Sequence, residues 1–121
     1  MKVSIVVTHL LGTGHLARAL TLARAYVADG HPTTVISGGM HAPQLDSQGV
    51  ELMQLPPLRS DGVNFAQLLD QSGLIADDAV FSARSAMLTE HTQSTRPDIL
   101  ITELFPFGRR TLAAEFVALL E

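Results

Sequence analysis

The residues best suited to chemistry fall in three short segments. The first, Thr8-His9-Leu10-Leu11-Gly12-Thr13-Gly14-His15-Leu16-Ala17, brings two glycines, two hydroxyls and two imidazoles close together. Glycine permits positive φ and close backbone approach, so Gly12, Thr13 and Gly14 can present free N–H groups to an anion at the start of a helix. His15, in the first turn of that helix, is a candidate general base or donor to an anionic group, and His9 is a lesser candidate beside it. The competing reading is that the glycines only make the turn fit and that His15 only packs. The second segment, Leu55-Pro56-Pro57-Leu58-Arg59-Ser60-Asp61-Gly62, offers Arg59 and Asp61 as charges able to reach a bound molecule, or else a solvated loop whose Asp-Gly pair makes a turn. The third, Glu103-Leu104-Phe105-Pro106-Phe107-Gly108-Arg109-Arg110, supplies a second candidate base in Glu103. Its two guanidiniums open a helix, where they oppose the helix dipole; a bound anion or Glu103 would give Arg109 and Arg110 a reason to be there. The two aromatics equally read as core.

Composition removes several alternatives. The sequence has no cysteine, which excludes a disulfide framework, a thiolate metal site and a cysteine nucleophile, and fits a cytoplasmic location. Its five histidines show no i, i+4 pair, so no metal site is expected. A net charge of −4, with the eight lysines and arginines spread out, gives no footprint for nucleic acid. The opening residues are too short an apolar run for a signal peptide, and no segment approaches the roughly 20 apolar residues of a membrane span. With 46% hydrophobic and 17% charged residues in 121, the composition is that of one globular domain whose sheet is covered on both faces.

The elements that must hold the three segments follow from periodicity. Residues 3–8 are β-branched and apolar, as in a strand buried on both sides. Leu16, Leu20, Ala23 and Val27 then recur at i, i+4, i+7 and i+11, and Asp29-Gly30 supplies a glycine stop, which predicts the first helix. Residues 32–37 close a βαβ unit, and residues 50–55 form a third strand that Pro56-Pro57 ends. Residues 64–69 and 77–92 read as helices, the second carrying Val80, Phe81, Met87 and Leu88 near one face. Residues 98–102 read as a fourth, interior parallel strand after Pro97, and 109–121 as a final helix with Leu112, Phe116, Leu119 and Leu120 inward. The fold class is therefore α/β, a Rossmann-like parallel sheet with helices on both faces. Residues 1–121 read as a single domain resembling half of a doubly wound fold, and so as a fragment of a larger protein. All three chemical segments follow strands at one sheet edge, where such folds bind ligands.

Taken literally, Gly12-x-Gly14-x-x-Ala17 also satisfies the dinucleotide fingerprint, which keeps open an oxidoreductase domain binding NAD(P) or flavin. The companion acid at the end of the second strand is missing, because Ser37-Gly38-Gly39-Met40-His41 offers none. A non-catalytic domain that binds a nucleotide sugar or another protein is a third reading.

Taken together, Gly12-Thr13-Gly14-His15, the Ala/Leu-rich run from Leu16 to Ala25 and the turn Asp29-Gly30-His31 resemble the opening of GT-B glycosyltransferases of the MurG type, related to glycosyltransferase family 28. This sequence has one glycine fewer before His15 than the Gly-Thr-Gly-Gly-His loop of that family. The segments 55–62 and 101–110 are similar to those of a bacterial subgroup of predicted glycosyltransferases. The resemblance implies the N-terminal half of a GT-B fold, which holds a hydroxyl acceptor while a C-terminal domain, absent here, binds a nucleotide-sugar donor such as a UDP-sugar. It implies sugar transfer with no covalent cofactor, the glycine-rich loop holding diphosphate or acceptor phosphate, His15 positioning or deprotonating the acceptor, and Arg109 or Arg110 countering pyrophosphate charge. The fragment alone is expected to be inactive.

Overall fold

The computed structural model describes residues 1–8, 14–60 and 68–102. Four parallel strands, β1 (Val3–Val7), β2 (Thr33–Ser37), β3 (Glu51–Gln54) and β4 (Ile99–Thr102), form one sheet in the order β3-β2-β1-β4. The two central strands, β1 and β2, are buried throughout, as their β-branched sequences require. Among the described strands β4 lies at an edge and is half-buried. Its continuous apolar run arises because both faces are used: Ile99 and Ile101 pack into one core and Leu100 into the other.

Helix α1 (Gly14–Ala28) covers one face. It buries Leu16, Ala19, Leu20 and Ala23 against Val3, Ile5, Val7 and Val35, the i, i+4, i+7 stripe expected of a helix lying on a sheet. It stops where the sequence predicts. Gly30, at φ +88°, allows its N–H to reach the Val27 carbonyl at 3.0 Å and the His31 N–H to reach that of Tyr26 at 2.9 Å, a Schellman ending. Tyr26 and His31 then meet edge to face, with ring centroids 6.3 Å apart.

Helix α2 (Asp78–Thr95) covers the opposite face. Asp77 caps it, its carboxylate accepting from the Val80 N–H at 3.1 Å, and Arg96 ends it in the left-handed region at φ 49°, just before Pro97. Leu88 packs with Val6, Ile36, Leu55, Leu58 and Leu68 in a second core, flanked by Val80, Phe81 and Met87. The other fully buried residue of α2 is Arg84.

One element differs from the sequence reading. Of the helix expected over 64–69, residues 64–67 lie outside the described residues, and Leu69 is extended. Its backbone pairs antiparallel with both Arg59 and Ile75. The Asp70 carboxylate accepts from the backbone of Ser72 and Leu74 and so closes the turn locally, a competition with helix that aspartate often wins. The final helix expected over 109–121 also lies outside the described residues.

Candidate functional site at the carboxyl edge of the sheet

Because all four strands are parallel, their carboxyl ends meet at one edge. Thr8 ends the described run after β1, Gly38-Gly39 follows β2, Leu55-Pro56 follows β3, and Gly14-His15 opens α1 at the same edge. The first turn of α1 holds no acidic side chain, so nothing on that turn offsets the positive end of the helix dipole. Gly14 is exposed, has no positive φ, and a Cβ built there meets no described atom within 4 Å. Neither packing among the described residues nor backbone conformation accounts for glycine at this position, which leaves room for close approach by a ligand.

His15 is half-buried beside Gly14, and Arg18 one turn later donates from Nη2 to its Nδ1 at 3.0 Å. With Nδ1 accepting, the neutral ring carries its proton on Nε2, and Nε2–H is then a donor. Arg59 lies after β3 as expected. Its backbone pairs with Leu69 and its guanidinium lies against Gly73 in the turn that Asp70 closes. Two buried side-chain atoms, Ser37 Oγ and Arg59 Nε, have no hydrogen-bond partner among the described residues, and both belong to this edge. His9, Gly12, Thr13, Asp61, Glu103, Arg109 and Arg110 lie outside the described residues, although His9 follows Thr8 directly and Glu103 follows the end of β4.

Sequence reasoning missed the group at the centre of this edge. Arg84, fully buried, donates from Nη1 to the carbonyls of Gly38 at 2.8 Å and Pro56 at 2.7 Å, and from Nη2 to Thr8 Oγ1 at 3.2 Å. One guanidinium thus joins the exits of β1, β2 and β3. Gly38 makes room for it: a Cβ at this position would collide with both Thr8 Oγ1 and Arg84 Nη2. The Gln54 amide adds a second clasp, donating to the Gly39 carbonyl at 2.7 Å. A signal for Arg84 existed in the sequence, because it stands four residues before Leu88 on the helix face that carries the apolar side chains.

At the opposite, amino half of the sheet, α2 and β3 flank an open groove of about 320 Å³ lined by Glu51, Met53, Met87, Glu90, His91, Ser94 and Thr95. His91 Nε2 is 2.9 Å from the buried Ser4 hydroxyl. Burial holds its imidazole below the usual value, with the Glu51 carboxylate acting in the other direction. Among the described residues no group of three His, Asp or Glu side chains is placed to hold a metal ion, and no helix is long and apolar enough to cross a membrane.

No family model matches the chain, and no curated protein matches it. Solved structures do. The chain is similar to the glycosyltransferase VinC, solved in complex with dTDP, at 19% identity and a TM-score of 0.54, over 97% of this chain and 32% of that one. It is similar to UGT2 of Phytolacca americana, complexed with UDP-2-fluoroglucose and pterostilbene, at 19% identity and a TM-score of 0.56, over 97% of this chain and 29% of that one. The apo form of UGT2 gives 18% identity and a TM-score of 0.52, again over 97% of this chain and 28% of that one. The chain therefore spans about a third of the length of these enzymes, and what it shares with them is the Rossmann-like α/β fold found in GT-B glycosyltransferases.

Proposed function

We propose that this chain is the acceptor-binding N-terminal domain of a nucleotide-sugar-dependent glycosyltransferase, one that transfers a sugar to a hydroxyl acceptor and holds its donor, a UDP-sugar, mainly through a second domain. The observation that carries this reading is the fold likeness to VinC and UGT2 across 97% of the chain. The nucleotides bound in those two enzymes support the donor class, and the sequence Gly12-Thr13-Gly14-His15 supports a MurG-type enzyme. In this reading the N-terminus of α1 and the N–H groups of Gly12, Thr13 and Gly14 hold phosphate oxygens. His15, whose Nδ1 accepts from Arg18, donates from Nε2 to the same anion. Because that contact occupies Nδ1, the proton of the acceptor hydroxyl passes more readily to Glu103, with His15 positioning. Arg59, Asp61 and His9 line the acceptor side, and Arg109 and Arg110 counter the charge of the departing nucleotide diphosphate. Sugar transfer breaks the anomeric carbon–phosphate oxygen bond and forms a bond to the acceptor oxygen. It needs no bound cofactor, and without the second domain the chain is inactive.

The dinucleotide reading loses ground at Gly38. The residue after β2 is where a ribose-binding acid belongs, and a side chain there would run into Thr8 and Arg84. The deciding experiment is an NMR titration with UDP, UDP-GlcNAc, NADH and NADPH that follows the amides from Gly12 to Ala17. Shifts with UDP or UDP-GlcNAc that Gly14→Ala abolishes, with thermal stability unchanged, fit the glycosyltransferase reading. Saturable shifts with NADH or NADPH sink it in favour of a redox domain.

A further inference from the structure

We propose that Arg84 is the positioning residue of the carboxyl edge: by gripping Thr8, Gly38 and Pro56 together, its guanidinium sets the place from which the glycine-rich segment leaves β1. The three partners lie 76, 46 and 28 residues away in sequence, so the contact fixes three otherwise independent chain exits relative to one another. Burying a cation carries a desolvation cost that its hydrogen bonds must offset, and removing it alone leaves its partners unpaired; what the guanidinium supplies is directional hydrogen bonding. Arginine suits the task because its planar fork carries five donors in fixed directions, where lysine offers a flexible point charge. Gly38 points the same way. Its missing side chain is the space that Thr8 Oγ1 and Arg84 Nη2 occupy, so residues 38 and 84 specify each other. Thr8 is the link to function, being the described residue directly before the glycine-rich segment, while Gly14 and His15 stand directly after it.

The functional half of this inference rests on the glycosyltransferase reading; the geometric half does not, and the test separates them. Backbone amide spectra of the full chain are compared for Arg84→Lys, Thr8→Val and Thr8→Ser, with Leu88→Ala as a destabilised control on the same helix. The expected result is that Arg84→Lys and Thr8→Val displace the amides of Thr8, Gly14 and His15 and weaken UDP binding about tenfold, the worth of one hydrogen bond to a charged group. Thr8→Ser, which keeps the hydroxyl, returns both readouts to the parent values, and Leu88→Ala lowers the melting temperature without moving these three amides. The proposal is overturned if Thr8→Val leaves them in place, or if Thr8→Ser or Leu88→Ala moves them as far as Thr8→Val does. Should Arg84→Lys fail to fold, the pair of Thr8 variants decides. The glycosyltransferase reading fails on saturable NADH or NADPH shifts; if the parent chain shows no response to UDP, as a donor held mainly by a second domain allows, the ligand-free amide positions alone decide the role of Arg84.

Discussion

The two faces of the sheet are covered by helices with the same spacing and opposite chemistry. On α1 the inward positions are Leu16, Leu20, Ala23 and Val27; on α2 the same steps of four, three and four fall on Arg84, Leu88, His91 and Thr95. The apolar stripe lets α1 lie directly on β1 and β2. The mixed stripe holds α2 further away, on a clamp at one end, a leucine in the middle and a histidine beside an open groove at the other. One face is built for packing, and the other uses polar contacts that fix where chain ends go. Apolar burial is tolerant of direction, whereas hydrogen bonds to buried groups are not.

The sharpest way to break this comparison is to make α2 resemble α1. Arg84→Met should cost on the order of 3–5 kcal/mol in urea unfolding, because two carbonyls and a hydroxyl lose their donor in a buried site. A smaller loss would mean that the polar clamp is dispensable. Leu20→Ala, on the apolar face, should cost about 3 kcal/mol through the cavity it leaves. Gly38→Ala should cost about 2 kcal/mol by overpacking, and Arg84→Met should relieve only part of that loss, because Thr8 Oγ1 still stands in the way.

The histidine end of α2 sharpens the contrast through pH. Burial lowers the pKa of His91 in the folded chain, so as pH falls below about 6.5 the unfolded chain takes up a proton first. Its contribution to stability is complete above that pH and is lost as pH falls toward the lowered folded value. His91→Gln should flatten this part of the stability profile. The smallest effect is expected at Arg96→Gly, which should stabilise by about 0.5–1 kcal/mol by placing glycine in the left-handed cap before Pro97.

The same contrast explains what the sequence made legible. The four parallel strands, α1 and its Gly30 ending follow from runs of β-branched residues, a 3.6-residue apolar period and a glycine at a positive-φ position, and the structure agrees with each. Arg84 escaped notice because a charged residue on a helix is ordinarily a solvated one, and only the residues facing it reveal otherwise. Gly38 escaped for a related reason: its need for glycine arises from a side chain 46 residues away and not from its own backbone angle. At Leu69 the structure departs from the expected helix because an aspartate one residue later binds the backbone and forms a turn. Of the site itself, the position of the segments bearing His15 and Arg59 at the carboxyl edge was readable, and the clamp that organises that edge was not.

The place of β1 in the sheet has a consequence for how the chain is made. Its two neighbours are β2, which follows after one helix, and β4, whose entry is tied to Lys2 by an Asp98 contact spanning 96 residues. At a synthesis rate of about 5–20 residues per second, β1 therefore spends roughly 3–13 s with one edge paired and the other bare. During that interval the growing polypeptide carries a buried-type, β-branched strand with an open ladder, the feature that recruits a second nascent chain. Expression slowed on the ribosome should then favour aggregation of this domain, and a holdase acting early in synthesis should relieve it.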